Sequence, residues 1–264
     1  MPTPVTAYQG LAGDRNNLAM PGALALAAQL ARRLKLPLAS VGVPAQALIT
    51  DWATELAAAK ADLQELAEHI STQLRLHHRS ITVLTRCAAA IATVPRVVAA
   101  HPDVCVVWCD AHADLNTPAS SATGYLGGLA LSGPAGLWNS GFGGNLLLEN
   151  IILVGSRDID PFELDLIESG KVRLIRADSA DLPGTIVQAI GRRKVYVHLD
   201  CDVLAPGSVP TDFSVPGGLS LAALGAVCSA LAELPLVGLE IAELQYSETA
   251  SLVPANLTGL LDAI

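Results

Sequence analysis

Aromatic residues are scarce in this chain: three Phe, three Trp and four Tyr make up 4% of its 264 residues. A core built around rings is therefore excluded, and the 51% hydrophobic content is mostly Ala, Leu and Val, which pack a sizeable core from small aliphatic groups. Basic residues are also few, with 16 Lys and Arg against 25 Asp and Glu and a net charge of −9. That balance argues against the basic patch on which nucleic-acid binding rests. It suits a cationic or metal-bound small molecule, because a negative field attracts positive groups. No run reaches the ~18 consecutive apolar residues of a membrane span. The start, MPTPVTAYQG, has no basic stretch leading into an apolar one, so no secretory signal peptide is read there. Cys87, Cys105, Cys109, Cys201 and Cys228 lack the spacing of a disulfide framework, and reduced thiols of a cytoplasmic protein are expected. Internal repeats, low-complexity tracts and Pro/Gly-rich linkers are missing too, which leaves a single domain over residues 1–264.

Short apolar runs alternate with longer helical patterns. Strands are expected at Val5–Gln9, Ile81–Leu84, Val104–Cys109, Ile151–Gly155, Val172–Arg176, Val195–Asp200 and Val237–Ile241. Helices are expected at Gly22–Leu34, Thr50–Leu76, Ala88–Ala100, Pro161–Ser169, Thr185–Gly191 and Leu219–Leu234. Several strands are unbroken runs of β-branched and apolar residues, the mark of strands covered on both faces. The alternation predicts an α/β fold, a three-layer α/β/α domain with a mainly parallel sheet joined by right-handed crossovers. One region departs from the rhythm: Leu115 to Asn150 is rich in Gly, Ser, Thr and Asn. A long irregular stretch inside a compact domain is usually functional, and this one follows a strand at its carboxyl end, where open parallel sheets hold ligands.

Strand Val104–Cys109 runs directly into Asp110-Ala-His112-Ala-Asp114. Alternate positions leaving a strand can turn toward one side. The second cluster, Asp200-Cys-Asp202, ends strand Val195–Asp200, with its carboxylates on one face and Cys201 on the other. His112 alone reads as readily as a satisfied polar residue, and Asp-x-Asp alone as a turn or cap. Both clusters follow apolar strands in the same alternating pattern, however, and so many like charges packed together need cations to neutralise them. A site for two divalent ions is expected.

These segments resemble the arginase/agmatinase (ureohydrolase) family. Asp110-Ala-His112-Ala-Asp114-Leu-Asn116-Thr-Pro118 is similar to its Asp-Ala-His-x-Asp-x-Asn-x-Pro signature, and Asp200-Cys-Asp202 with Pro206 to its second metal motif. Ser156-Arg157-Asp158-Ile-Asp160-Pro161, Gly217-Gly218-Leu219 and Glu240-Ile-Ala-Glu243 match further landmarks, and the likeness runs from Ile81 to Leu244. The resemblance implies a pair of Mn²⁺ ions bridged by Asp110 and Asp200, with Asp114 on one ion and His112 and Asp202 on the other. It further implies a bridging hydroxide as nucleophile, since two cations lower the pKa of water. Glu243 and Asp114 become the candidate catalytic carboxylates, with Glu243 receiving the guanidino group. Asp160 would take the substrate α-amino group, and Asn116 and Ser121 would lie near its carboxylate.

Two departures refine the reading. Where the family has Gly-Gly-Asp-His, this chain has Val83-Leu-Thr-Arg-Cys87, so the ligand His is absent and Cys87 stands at or one residue from its position. Cys87 is read either as a small buried hydrophobe or as a thiolate ligand, which makes the site a poorer Lewis acid and shifts its preference toward softer Zn²⁺ or Fe²⁺. Secondly, the His thought to shuttle protons in arginases is replaced by Gly127, within Gly124-Tyr-Leu-Gly-Gly128. Arginine is always protonated and needs managed proton transfer, whereas an N-hydroxyguanidine is less basic. Gly127 is expected to leave room for its extra oxygen. Together with Leu131-Ser-Gly-Pro-Ala-Gly-Leu-Trp138, the departures resemble a subgroup of the family from antibiotic biosynthesis that splits Nω-hydroxy-L-arginine into hydroxyurea and L-ornithine.

Other guanidino substrates, as in arginases and agmatinases, are the alternative within the class, and a catalytically silent binding protein is the alternative outside it. The partner expected is a small guanidino compound, with no nucleic acid and no membrane. Only Ser251–Ile264 remains as a final helix after the last motif, and a monomer is expected.

Overall fold

The computed structural model describes residues 2–247 and 258–263. Its strands are β1 (Val5–Tyr8), β2 (Leu38–Val41), β3 (Ser80–Val83), β4 (Cys105–Cys109), β5 (Ile151–Val154), β6 (Arg173–Ile175), β7 (Val195–Asp200) and β8 (Leu236–Ala242). Its helices are α1 (Ala19–Leu34), α2 (Trp52–His77), α3 (Ala90–Ala100), α4 (Pro161–Glu168), α5 (Leu182–Ile190), α6 (Leu221–Ala232) and α7 (Thr258–Ala263). The eight strands form one sheet in the order β2-β1-β3-β8-β7-β4-β5-β6, and every pairing is parallel.

Period-two alternation sorts the core into two layers. From β4, Val106 and Trp108 pack with Leu63, Leu66 and Ile70 of α2 and Ile91 and Val94 of α3. Cys105, Val107 and Cys109 face the other way, toward Leu26 and Leu30 of α1, Ile186 of α5 and Val227 of α6. The three-layer expectation holds for this reason. Local signals set the helix starts: Asp51 accepts from Ala53 N at 3.0 Å and Thr54 N at 3.1 Å, satisfying amides at the start of α2 that have no partner within the helix.

Most element ends shift by one to three residues from expectation, α1 for example starting at Ala19 and not Gly22, and three differences bear on the fold. Strand β2 was not expected, because Leu-Ala-Ser-Val carries no unbroken apolar run. It lies at the sheet edge, paired only with β1 and mostly open to solvent. Helix α5 begins at Leu182, three residues before the expected Thr185, since Asp181 caps Gly184 N at 3.1 Å and proline is tolerated in a first turn. The expected final helix lies partly outside the described residues, and α7 is its described part. Leu115 to Asn150 is irregular apart from short 3₁₀ turns at Gly127–Leu129 and Leu148–Asn150. Among the described residues no helix is long and apolar enough to cross a membrane.

Candidate metal centre

The middle of the sheet, β3-β8-β7-β4, delivers the expected residues side by side at its carboxyl edge. Cys87 opens a 3₁₀ turn shortly after β3, Asp110 follows β4, Asp200 closes β7 and Glu243 follows β8. Cys87, Asp200 and Glu243, together with His112, Asp114, Asn116, Ser121, Asp160 and Glu163, line a cavity of about 210 Å³ roofed by the irregular segment, while Asp110 is fully buried outside that lining. Asp200 and Asp202 point to the same side while Cys201 packs in the opposite apolar layer, as the alternation required.

Distances define two adjoining clusters. Cys87 Sγ lies 3.0 Å from Asp200 Oδ2, to which its thiol donates, 3.1 Å from His198 Nε2 and 3.9 Å from Asp110 Oδ2. His112 Nδ1 lies 3.3 Å from Asp110 Oδ1 and 3.2 Å from Asp202 Oδ2. Asp110 belongs to both groups, Cys87–Asp110–His198 and Asp110–His112–Asp202, in each of which the ligand atoms lie within 4.8 Å of one another. A third such group joins Cys87, Asp200 and Glu243. Asp114 lines the cavity but enters none of these groups among the described residues.

The electrostatics fit divalent cations. Asp110, Asp114, Asp200 and Asp202 are all at most 5% exposed. Burial first, and neighbouring carboxylates second, hold Asp114 and Asp200 well above the ordinary carboxylate range. Burial opposes a charge on His112, but the carboxylates of Asp110 and Asp202 outweigh it and push its pKa to about 12. Asp202 Oδ2 is buried with only the ion-pair approach of His112 Nδ1 at 3.2 Å beside it, which suits a metal-ligand atom. Burial, then Asp200 and Asp110, raise the Cys87 thiol well above its usual value. Ionisation of Cys87 therefore needs the cations; its position at a strand end does not suffice.

Behind Cys87 runs a polar network that sequence reasoning missed. Glu240 Oε1 accepts a hydrogen bond from His198 Nδ1 at 2.7 Å, so Nε2 is left facing the thiol. Tyr196 OH and Thr93 Oγ1 donate to the other Glu240 oxygen at 2.7 and 2.6 Å. Trp108 stacks on His198 with centroids 3.5 Å apart and donates from Nε1 to Asp110 Oδ2 at 3.0 Å. A signal was available: His198 shares the strand parity of Asp200 and Asp202.

After β8, Glu243 Oε2 accepts from Arg86 Nη1 at 2.6 Å and Oε1 from Cys87 N at 3.0 Å. Glu243 and Asp114 hold φ of 68° and 53°; for the longer side chain this left-handed backbone costs about 1–3 kcal/mol and is concentrated at functional sites. The space expected at Gly127 is not open. A Cβ there would run into the ring of Tyr125, which occupies that volume and donates from its hydroxyl to Gly13 O at 3.1 Å. Glycine at 127 thus admits a tyrosine ring where a side chain would stand, while both residues line the cavity.

The far end is organised around Asp160, the N-cap of α4. Asn116 Nδ2 donates to Asp160 Oδ2 at 2.7 Å, while Asn116 Oδ1 accepts from Ser120 at 2.9 Å. Both amide atoms of Asn116 are thereby engaged with neighbours. Ser121 lines the cavity and accepts from Gly124 N at 3.0 Å. Glu163 accepts from Leu115 N at 2.8 Å and Asp160 N at 2.9 Å, and burial pushes it up to about 7.

Residues 32–252 match the model of the arginase family. The chain belongs to the arginase family. The match extends beyond the stretch in which the motifs were legible. The chain is 37% identical to the N(omega)-hydroxy-L-arginine amidinohydrolase of Streptomyces lavendulae over 97% of its own length and 93% of that relative's. It is 31% identical to the hepatic arginase of Aquarana catesbeiana over 60% of this chain and 54% of that one. Arginase from Entamoeba histolytica superimposes with a TM-score of 0.85 at 20% identity, covering 99% of this chain and 96% of that one, a likeness of fold. This arginase-family chain is a hydrolase acting on guanidino C–N bonds, and its family depends on a binuclear metal site.

Proposed function

We propose that the enzyme hydrolyses Nω-hydroxy-L-arginine to hydroxyurea and L-ornithine. The observation that carries this reading is the pair of changes at the reacting end: a thiol at the first ligand position, and a tyrosine ring filling the place of a proton-shuttling histidine. Both suit a substrate that presents itself less basic than arginine, and the Streptomyces lavendulae relative carries that substrate in its name.

Cys87, Asp110, Asp114 and Asp200 would hold one ion, and Asp110, His112, Asp200 and Asp202 the other. A manganese pair fits a donor set dominated by carboxylates, with Cys87 as its soft member. When bound, two such cations lower the pKa of water enough to supply a nucleophile at neutral pH. Glu243 orients the guanidino carbon for attack through hydrogen bonds to its N–H groups. Asp160, steadied by Asn116, binds the α-amino group, and Ser121 lies beside the carboxylate. This anchoring at both ends supplies the alignment on which hydrolysis depends. Asp114, which lines the cavity, would take the proton released as water's oxygen bonds to the guanidino carbon and pass it to the ornithine Nδ as the C–N bond breaks. Water's oxygen stays on carbon, so hydroxyurea leaves as the second product.

Product analysis by mass spectrometry on metal-replete protein is the test. Hydroxyurea and ornithine should form in equal amounts, with L-arginine turned over at least about tenfold more slowly, a difference of about 1.4 kcal/mol in barrier. Equal or faster turnover of L-arginine would overturn the substrate assignment.

A further inference from the structure

Beside the guanidino-receiving carboxylate sits a second, permanent guanidinium. Arg86 is fully buried. Its Nη1 donates to Glu243 Oε2 at 2.6 Å, and its Nε and Nη2 donate to Asp14 Oδ1 at 3.2 and 2.9 Å. Nη2 also donates to Asn16 Oδ1 at 3.0 Å and lies 3.3 Å from Asp212 Oδ2. Cys87 N holds the other Glu243 oxygen at 3.0 Å. Both oxygens of Glu243 are therefore engaged, and its charge is shared with a side chain that never loses its own proton.

A carboxylate has about four lone-pair directions, so room remains for N–H donors from a ligand. The charge on those donors is what Arg86 alters. A protonated guanidinium would be a second cation on a carboxylate already paired with one, and the repulsion acts in a buried setting where water screens little. A neutral N-hydroxyguanidine offers similar donors without that repulsion. Arginine cannot shed its proton to comply; the less basic hydroxylated form can. We propose that Arg86 is a specificity-determining residue that makes the guanidino subsite take a neutral group and disfavour a cationic one. The inference rests on Glu243 being the guanidino receptor of the proposed reaction. Asp14 and Asp212 draw part of the Arg86 charge away from the subsite, so they set how strongly the preference is felt.

The test uses metal-loaded full-length protein and two amino acids of nearly the same shape: L-arginine, a cation, and L-citrulline, its neutral urea counterpart. Calorimetry gives the ratio of their dissociation constants without requiring turnover. Arg86→Gln should move that ratio toward arginine by at least about tenfold. Arg86→Lys keeps the charge and should stay within about threefold of wild type, a rescue that a purely structural role for the forked side chain would not produce. Asp14→Asn leaves Arg86 less neutralised and should move the ratio toward citrulline. A folded Arg86→Gln protein with the wild-type ratio overturns the proposal, as does Arg86→Lys behaving like Arg86→Gln. Should Arg86→Gln not fold, an unchanged ratio in Asp14→Asn overturns it. Wild-type protein that leaves Nω-hydroxy-L-arginine intact while the ratios shift as stated refutes the substrate assignment and supports the role of Arg86.

Discussion

Stripped of metal, the protein should be more stable in mild acid than above neutrality, and Glu163 supplies a quantity that can be worked through. Its carboxylate is buried in the cavity wall, bound to Leu115 N and Asp160 N, and burial raises its pKa from 4.5 to about 7. A carboxyl raised on folding binds its proton more tightly in the native state than in the unfolded chain. Its contribution is complete below pH 4.5 and is lost as the pH climbs through about 7. At about 1.4 kcal/mol per unit the full titration is worth up to about 3 kcal/mol, and residual solvent access reduces this to roughly 2. His112, raised from 6.5 to about 12, acts in the same direction, with stability present below 6.5 and lost as pH rises toward 12. Asp114 and Asp200, also raised, add to it, while Asp110, lowered, has finished titrating below this window. Chelator-dialysed protein unfolded in urea and followed by circular dichroism should lose at least about 2 kcal/mol between pH 5 and pH 8. Glu163→Gln should remove most of the Glu163 share of that slope, apart from a pH-independent loss of about 1 kcal/mol for one hydrogen bond. Metal-free protein at least as stable at pH 8 as at pH 5 would refute the reasoning, and so would a Glu163→Gln slope equal to wild type.

Two further outcomes follow from the site. Cys87→Ala should lower metal content from about two ions per chain to about one by plasma mass spectrometry, and cobalt-loaded wild type should show a thiolate charge-transfer absorption that the variant lacks; unchanged content and spectrum would make Cys87 a packing residue. Asp160→Ala should raise KM for Nω-hydroxy-L-arginine at least about tenfold with kcat far less affected and cost about 1 kcal/mol of stability through loss of the α4 cap. An unchanged KM would remove Asp160 from the substrate site.

Local pattern was enough to read the fold class and the two acidic clusters. Apolar runs ending in Asp110-Ala-His112 and Asp200-Cys-Asp202 reveal both the strand and the side to which its last residues turn, because strand periodicity is a property of neighbouring residues. The edge strand β2 escaped because half-exposed backbone pairing leaves little mark on composition. Cys87 and Gly127 were recognisable as departures from a pattern, yet their consequences were not. What fills the space at 127 is Tyr125, whose ring folds back in a loop with no periodicity.

The amino-acid sequence by itself determined a parallel α/β sheet, the strand ends that carry carboxylates, and a cation-binding chemistry. Only the tertiary structure decided which distant residues act on those carboxylates. Arg86 reaches Glu243 across 157 positions, and Cys87 meets His198 across 111. Such pairings depend on strand order, and strand order depends on how crossovers pack against both faces of the sheet, information spread over the whole chain and present in no single stretch of it.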